Sequence, residues 1–549
     1  MPGLLTQTGN RTARPAKRTP GLLRALVLVL LTASLCFSSA CLFDGGGGSP
    51  SIPDKNTLRL VDAGPATLDP ALSQDITSHT YVIQVFSGLV ALDDAMNVVG
   101  DIAETWETSN DGRTFIFHLR NDARFHDGTK ITAVDFKYSW ERACNPDTGS
   151  ATAPVYLKDI VGAAEVLAGA KDSIEGVTVM DEHTLRVVID APKAYFLAKL
   201  TYPVAFVVDR DNVESSRDWW REPNGSGPFK IKHWETDELL LLQRNDLYYG
   251  NLAKLDYVAF LLWGGASMQM YERDEIDVTY VSLYDLERVL DPSNPLHEQL
   301  QISPELSLTY VGFNCTAPPF DDSRVRQAFA HAVDRNRIVS QLLRDAVEPT
   351  KSILPPGMPG YTGQIAGLAY DLDKAKELLA AAGYPGGAGL PPLVFACPGQ
   401  GGEVPAWIIW ILWDWEQELN VNIEINQIES DAYFYNLEEQ RGDFFYYGWV
   451  ADYPDPEDFL DILFRSGSPD NEGGYSNAGV DALLEQAAVE QDMAVRFQLY
   501  REAEQIIVSD AACVPLWTGI NYLLVKPYVE GFSLNALGLP SLAQVSIVE

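Results

Sequence analysis

The residues best suited to binding a ligand lie in one short stretch of the chain, 444–459 (FFYYGWVADYPDPEDF). Aromatic side chains crowd its first half, and a single acid, Asp452, then precedes a turn stiffened by prolines. Aromatic walls around one carboxylate suit a pocket that stacks an organic ligand and neutralises an amine through a charge-assisted hydrogen bond. A buried strand followed by a turn-capping aspartate explains the same pattern equally well. The pattern is therefore equally consistent with a ligand-binding site and with a purely structural role for these residues.

Sequence signatures of catalysis are absent. The chain contains no HExxH, GxSxG or GxxxxGK[ST] motif and no strand–GxGxxG–helix arrangement. The seven histidines are scattered, and only His118 and His126 lie close along the chain, where hydrogen-bonded or surface histidines are a better explanation than a metal pair. The loop 224–228 (NGSGP) lacks an identifiable base partner and is interpreted as a tight turn before a strand. We predict no catalytic residue, no cofactor and no metal site, and interpret the chain as a protein that is not an enzyme.

The N-terminus has the features of an export signal. Residues 1–40 carry five basic and no acidic residues, an apolar run at 25–35 (ALVLVLLTASL), and small residues just before Cys41. This order defines a secretory signal, and the apolar run is shorter than the roughly 20 residues of a membrane span. Bacterial lipoproteins are cleaved and acylated at such a cysteine, although a simple signal peptide with an incidental Cys41 also fits. We predict a lipoprotein-type signal peptide over 1–40 and an acylated Cys41 opening a flexible Gly-rich linker, 41–56.

The charge of the mature chain excludes one class of partner. From Cys41 onward the chain keeps 35 basic and 76 acidic residues, a net charge of −41. Such a surface repels nucleic acid phosphates, so nucleic acid is excluded as a partner. The acidic surface also disfavours adsorption to anionic lipid, so a covalent tether would be more useful for holding the protein at a membrane. The same surface tolerates cationic or zwitterionic ligands.

Beyond residue 56 the chain mixes strands and helices without a regular βαβ alternation. Strands are predicted at 113–120 and 514–517, and helices at 132–142, 323–343, 372–382, 406–419, 480–490 and 494–508. In the first helix Thr132 is the expected N-cap, with Val134, Tyr138 and Trp140 packing inward. About 500 residues require two or three domains, and because linkers are scarce we expect these domains to interleave.

Four cysteines remain in the chain beyond Cys41, and none forms a CxxC motif: Cys144, Cys315, Cys397 and Cys513. An exported location permits disulfides, and four cysteines allow three full pairings between which the sequence does not choose. We expect most of them to be buried free thiols.

Several segments are similar to the bacterial extracellular solute-binding proteins of peptide and nickel ABC importers, family 5. The longest, 102–142 (IAETWETSNDGRTFIFHLRNDARFHDGTKITAVDFKYSWER), follows the family pattern almost element by element. Shorter matches are 67–70 (TLDP), 86–89 (FSGL), 224–231 (NGSGPFKI) and 318–335 (PPFDDSRVRQAFAHAVDR). Within the family, 448–453 (GWVADY) is most similar to the oligopeptide-binding branch.

The resemblance implies a fold. It is the α/β, two-lobed periplasmic-binding-protein-like fold (type II, three-domain peptide-binding variant), with interleaved lobes joined by a hinge. The resemblance assigns 57–86, 206–306 and 520–549 to lobe I, 87–205 to an extra domain attached to lobe I, and 307–519 to lobe II. We expect the ligand between the lobes, which close around it by hinge motion.

The resemblance also implies a set of ligand-binding residues. An aspartate at the place of Asp452 pairs with the α-ammonium of a peptide. Backbone groups at the places of Gly448, Trp449 and Val450, and of 74–76 with Gln74 and Ile76, pair with the peptide main chain as neighbouring strands do, which gives affinity without sequence preference. Tyr446 stands where an arginine that serves the C-termini of longer peptides is expected. The length and the chemical class of the ligand therefore stay open.

The function implied is that of a lipid-anchored receptor. It captures oligopeptides outside the cytoplasm, at the outer face of the cell membrane or in the periplasm, and delivers them as a monomer to an ABC permease driven by a separate ATPase. An alternative keeps the fold but changes the ligand to a nickel chelate, an oligosaccharide or another amine. A secreted hydrolase is a more remote alternative, because no nucleophile and base are recognisable.

Overall fold

The computed structural model describes residues 52–53, 55–262, 264–399, 404–429, 433, 437 and 439–548. The predicted signal peptide, the predicted acylation site Cys41 and most of the predicted linker lie outside these residues. The segment 52–549 forms one compact unit, and we keep the names lobe I, extra domain and lobe II for the ranges given above. Within the described residues, no helix has the length and apolar character needed to cross a membrane.

Lobe I is built on two small sheets. Leu58 and Leu60 alternate with polar residues and share a core with Leu240 and Leu242, which lie two strands away in the same sheet. The first sheet has the strand order Thr57–Asp62, Tyr257–Leu262, Leu239–Arg244, Phe229–Glu235, with only the first pair parallel. The second sheet has the order Val278–Tyr280, Ile520–Val525, Leu300–Pro304, and Val529–Glu530 pairs with Ser546–Ile547. The helices are Ile76–Val85, Arg210–Ser215, Ser267–Glu272 and Leu283–Leu290, with 3-10 turns at Trp219–Arg221, Pro295–Gln299 and Leu542–Gln544.

The extra domain holds an antiparallel sheet covered by a helix. Its strand order is Ala103–Thr108, Thr114–Leu119, Thr184–Val188, Val177–Asp181, and a separate hairpin joins Val90–Leu92 to Val98–Gly100. The helices are Ala133–Cys144, Ala153–Tyr156, Ala163–Leu167 and Phe196–Lys199, with 3-10 turns at Pro146–Thr148 and Pro203–Ala205. Its core is continuous with that of lobe II.

Lobe II contains a mixed six-stranded sheet. Its strand order is Glu348–Pro349, Cys513–Thr518, Ser307–Phe313, Phe444–Val450, Leu393–Pro398, Ile423–Ile428. The helices are Ser323–His331, Arg335–Gln341, Leu372–Ala381, Ala406–Leu419, Glu457–Phe464, Ala478–Val489 and Met493–Ser509, with a 3-10 turn at Pro385–Gly387. Each of the three larger sheets draws its strands from one of the three predicted ranges.

The chain crosses from lobe I to lobe II and back at two adjacent places. The main-chain N–H of Glu305 donates to the carbonyl of Gly519 at 3.1 Å, and the N–H of Gly519 donates to Ser307 Oγ at 3.0 Å. A Cβ on Gly519 would lie 2.5 Å from Glu305 Oε2 and 2.7 Å from Ser307 Oγ, so a larger residue at this position would require these two side chains to move. These paired crossings are the place at which a hinge would act.

Two local predictions were wrong in detail. The helix predicted over 323–343 is two helices, because Asp334 caps the second by accepting the N–H of Arg337 at 3.1 Å. Val134 does not pack inward: it is 57% exposed, while Ala133, Phe136 and Trp140 form the buried face of the same helix. The predicted N-cap, Thr132, is confirmed and forms a capping box with Asp135.

The four cysteines beyond Cys41 are free thiols. Cys144, Cys397 and Cys513 are buried and Cys315 is half-buried. Burial raises the pKa of all four thiols, to about 11 for Cys397. They act as small apolar core residues.

Candidate ligand-binding site

A cavity of about 1090 Å³ lies where lobe I, the extra domain and lobe II meet. Lobe I contributes Gln74 and Ile76, the extra domain contributes Tyr156 and Tyr202, and lobe II contributes 447–452. The volume lies just above the range of roughly 300–1,000 Å³ that is usual for ligand pockets. The cavity is therefore large enough for an extended organic ligand.

The lobe II wall of this cavity is a strand with one open edge. Strand Phe444–Val450 is paired along its whole length with Ser307–Phe313, from Phe444 opposite Phe313 to Val450 opposite Ser307. Its other edge pairs with Leu393–Pro398 only at Phe444 and Phe445. Beyond those two residues, no strand among the described residues lies against that edge, and the carbonyl of Tyr446 accepts from the Tyr433 hydroxyl at 2.7 Å. Such an edge can accept an extended peptide as an additional strand.

Asp452 lies just beyond the end of this strand and lines the cavity. Its carboxylate accepts a hydrogen bond from the Tyr156 hydroxyl of the extra domain, and its main-chain N–H donates to Asp458 Oδ2 at 3.1 Å. Burial raises the pKa of Asp452 to about 7; the Tyr156 hydrogen bond opposes that rise, and the nearby Asp470 carboxylate adds to it. No Lys or Arg among the described residues forms an ion pair with Asp452. A ligand ammonium would supply the missing cation.

Asp458 holds this part of the wall in place, and sequence reasoning missed it. It is fully buried in helix Glu457–Phe464. Its Oδ2 accepts from the indole N–H of Trp449 at 3.2 Å and from the N–H of Asp452 at 3.1 Å. Burial, followed by repulsion from Asp452, raises the pKa of Asp458 well above its ordinary value. In the sequence, Asp458 is only an acidic residue six positions after Asp452. Acidic residues are so frequent in this chain that its position did not distinguish it.

Lobe I and the extra domain contribute three further aromatic groups to the cavity that the sequence did not reveal. Tyr156 and Tyr202 stack in parallel with ring centroids 3.8 Å apart, and His79 meets Tyr202 edge-on at 4.8 Å. All three line the cavity. They come from segments without any recognisable motif, so no sequence pattern could have selected them.

Of the predicted ligand-binding residues, six line the cavity: Gln74, Ile76, Gly448, Trp449, Val450 and Asp452. The side chain of Tyr446 lies elsewhere, packed against Trp407 with ring centroids 5.6 Å apart. Burial raises the pKa of Tyr446. Neighbouring residues of a strand point to opposite faces, which places Tyr446 and Tyr447 in different surroundings.

The described residues offer no metal site. Among them, no group of three or more His, Cys, Asp and Glu side chains is arranged to hold an ion. His118 contacts Glu107 at 3.3 Å, whereas His126 contacts the carbonyl of Gly227 at 3.2 Å, so the two histidines have separate partners.

The model of the bacterial extracellular solute-binding proteins, family 5 Middle, matches residues 97–471, and the chain belongs to this family. Its fold is the two-lobed type II fold of these proteins, and its class is that of binding proteins, not enzymes.

Three relatives illustrate the similarity. The periplasmic oligopeptide-binding protein OppA of Salmonella typhimurium is 30% identical over 92% of this chain and 94% of its own length. The probable deoxycholate-binding periplasmic protein YgiS of Escherichia coli is 32% identical over 90% of this chain and 93% of its own length. The structure of the murein tripeptide binding protein MppA of Escherichia coli superposes with a TM-score of 0.79 at 29% identity, covering 90% of this chain and 98% of that one.

Proposed function

We propose that this protein is the lipid-anchored, extracytoplasmic solute-binding component of an ABC importer, and that it captures oligopeptides between its lobes and delivers them, as a monomer, to a membrane permease driven by a separate ATPase. The observation that carries the proposal is the open edge of strand Phe444–Val450, which runs along the cavity and ends next to Asp452. Peptide-binding relatives of 29–30% identity support the ligand class.

The geometry suits a peptide in an extended conformation. Its main chain would pair with the free edge at Gly448, Trp449 and Val450 on one side and with 74–76 on the other. Its α-ammonium would pair with Asp452, whose second carboxylate oxygen has no protein hydrogen bond among the described residues. Main-chain pairing places few demands on side chains, because every peptide offers the same N–H and C=O groups.

Calorimetry on a substitution at Asp452 tests the proposal. Asp452→Ala removes a buried charge partner and is expected to weaken binding of a peptide with a free N-terminus by about 2–5 kcal/mol. Asp172→Ala is the matched control, because Asp172 is exposed and lies outside the cavity. Unchanged peptide affinity in Asp452→Ala contradicts the proposed role.

The natural ligand can be identified directly. Denaturing the purified protein and analysing the released small molecules by mass spectrometry is expected to yield peptides. Recovery of only nickel or of an oligosaccharide would contradict the peptide assignment.

A steroid is the second candidate ligand, because a relative of 32% identity is named as a probable deoxycholate-binding protein. The aromatic groups Tyr156, Tyr202 and Trp449 could pack against a flat apolar body. Deoxycholate carries a carboxylate, however, and no Lys or Arg among the described residues lines the cavity to pair with it. Titration with deoxycholate and with a peptide, on the same preparation, separates the two candidates.

The proposed anchor has its own test. Labelling cells with a radioactive fatty acid is expected to mark the wild-type protein and to fail for Cys41→Ala. If the wild type is not labelled, the protein is secreted without a lipid tether, while the proposed peptide binding is unaffected.

A further inference from the structure

The charged side chains that line the cavity are all acidic. They come from lobe I, the extra domain and lobe II: Asp75, Asp93, Asp94, Asp101, Asp237, Asp452, Asp470 and Glu472. Among the described residues, no Lys or Arg contributes to the lining. The same sign of charge therefore faces the ligand from every wall.

The seven aspartates of this lining are not paired with basic side chains in the described part of the chain. Within the described part of the chain, none of the seven forms an ion pair with Lys or Arg. Asp75 and Asp93 accept main-chain N–H groups of their own turns, and Asp101 and Asp452 accept tyrosine hydroxyls. Two basic residues act on these carboxylates only at longer range: Lys158, which is exposed, acts on Asp470, and Arg120 acts on Asp101. In the described part of the chain, the protein therefore places no ion-paired cation against any of these seven aspartates.

His79, the histidine that the described residues contribute to the lining, does not change this sign. His79 is 6% exposed, and burial lowers its pKa to about 4, so its ring is neutral at physiological pH. Its Nε2 has no hydrogen-bond partner among the described residues. The ring of His79 therefore adds no positive charge to the lining of the cavity.

We propose that the cavity selects peptides with basic side chains and leaves the carboxyl terminus of the ligand in solvent. The inference rests on the proposed peptide-binding function and names the ligand class within it. A cleft lined by one sign of charge and bounded by apolar walls concentrates ions of the opposite sign. A ligand carboxylate enclosed there would lose its hydration without gaining a cation.

Matched peptides test the preference. One set of pentapeptides shares a free N-terminus and differs only at the second and third positions, which are Lys, Gln or Glu, and each is made as the C-terminal acid and the C-terminal amide. Calorimetry is expected to show the Lys peptide binding at least about tenfold more tightly than the Gln peptide, and the Gln peptide more tightly than the Glu peptide. Acid and amide forms are expected to agree within about twofold.

A pair of variants assigns the preference to the cavity. Asp470→Asn removes one lining carboxylate and is expected to reduce the Lys-to-Gln affinity ratio by about threefold or more. Asp172→Asn removes an exposed carboxylate outside the cavity and is expected to leave the ratio as it is in the wild type.

The outcomes separate this inference from the proposed function. If all the peptides bind equally, or the Glu peptides bind best, the charge preference is wrong and peptide binding stands. If the acid forms bind more than about tenfold more tightly than the amides, the cavity does recognise the carboxyl terminus, and that part of the proposal is overturned. If no peptide binds and the released ligand is not a peptide, both proposals are overturned.

Discussion

The hydroxyl of Tyr156 donates a hydrogen bond to the carboxylate of Asp452, joining the extra domain to lobe II across 296 positions of sequence. Tyr156 is held for this contact by its parallel stack on Tyr202. The bond stabilises the charged form of Asp452 in a place where burial favours the neutral form. The fraction of Asp452 that is ionised, and so able to pair with an ammonium, thus depends on Tyr156, a residue of the extra domain.

Tyr156→Phe is expected to raise the pKa of Asp452 further, because the substitution removes a hydrogen bond to the carboxylate. Affinity for a peptide with a free N-terminus should then fall several-fold at mildly acidic pH and much less at alkaline pH. Calorimetry across this pH range measures the shift. Tyr370→Phe, an exposed phenol outside the cavity, is the control. An unshifted pH dependence in Tyr156→Phe would mean that the hydroxyl does not tune Asp452.

Peptide affinity is expected to increase as the pH rises towards and through about 7. Asp452 has a pKa of about 7 in the ligand-free protein and must be ionised to pair with an ammonium. Below that pH, binding has to release a proton, and affinity falls by up to about tenfold per pH unit. Calorimetry near pH 6 in buffers of different ionisation enthalpy detects the released proton. Asp452→Asn should bind weakly with little pH dependence in this range; a dependence like that of the wild type would assign the proton to another group.

In the ligand-free protein, Asp452 is expected to lower stability as the pH rises from about 4 to about 7. Its folded pKa of about 7 lies above the unfolded value of about 3.9, so the native state binds the extra proton in this window and stability falls with increasing pH. The melting temperature of Asp452→Asn should therefore rise relative to wild type over the same window and level off above it. Thermal unfolding without ligand checks this, and Asp172→Asn should show a constant difference.

A buried ion pair also joins the extra domain to lobe II. Lys199 Nζ lies 2.9 Å from Glu457 Oε1 and 3.7 Å from Asp159 Oδ2, and both Lys199 and Glu457 are almost fully buried. Burial acts to lower the pKa of Lys199, but the two carboxylates outweigh it and the pKa is raised. Lys199→Met is expected to cost about 3–5 kcal/mol, because it leaves a buried carboxylate without its cation.

A double-mutant cycle measures this coupling. Combining Lys199→Met with Glu457→Gln should recover part of the loss, and urea unfolding of the four proteins gives the interaction term. Additive effects would show that the pair contributes no mutual stabilisation. Lys171→Met, at an exposed lysine, should cost less than about 1 kcal/mol.

The loop 224–228 packs against the end of helix Ile76–Val85. A Cβ on Gly225 would lie 2.1 Å from the carbonyl oxygen of Val85, and one on Gly227 would lie 2.4 Å from that of Gln84. Gly227→Ala should destabilise the protein by about 1–3 kcal/mol or more, because the backbone of helix Ile76–Val85 would have to move. Denaturant unfolding tests this against Gly479→Ala, where the new methyl group meets only a side-chain oxygen at 3.2 Å. Equal stability of both variants would contradict the tight packing.

Much of the secondary structure and part of the site could be predicted because their signals are local. Helix Ala406–Leu419 has the predicted bounds, and Thr132 caps its helix through residues within three positions. The aromatic run and Asp452 were recognisable for the same reason, since they are neighbours in sequence. Val134 was misplaced because apolar spacing predicts a helix without showing which of its faces meets the core.

By itself, the sequence determined the family, several of the helices and strands, and the segment that carries Asp452. Only the tertiary structure decided what surrounds Asp452: the Tyr156 hydroxyl, the buried Asp458 carboxylate, and a cavity whose charged lining residues are all acidic in the described part of the chain. The physical reason is distance along the chain. Local backbone preferences act over a few residues, whereas the electrostatics of a site depend on side chains that packing brings together from three parts of the fold.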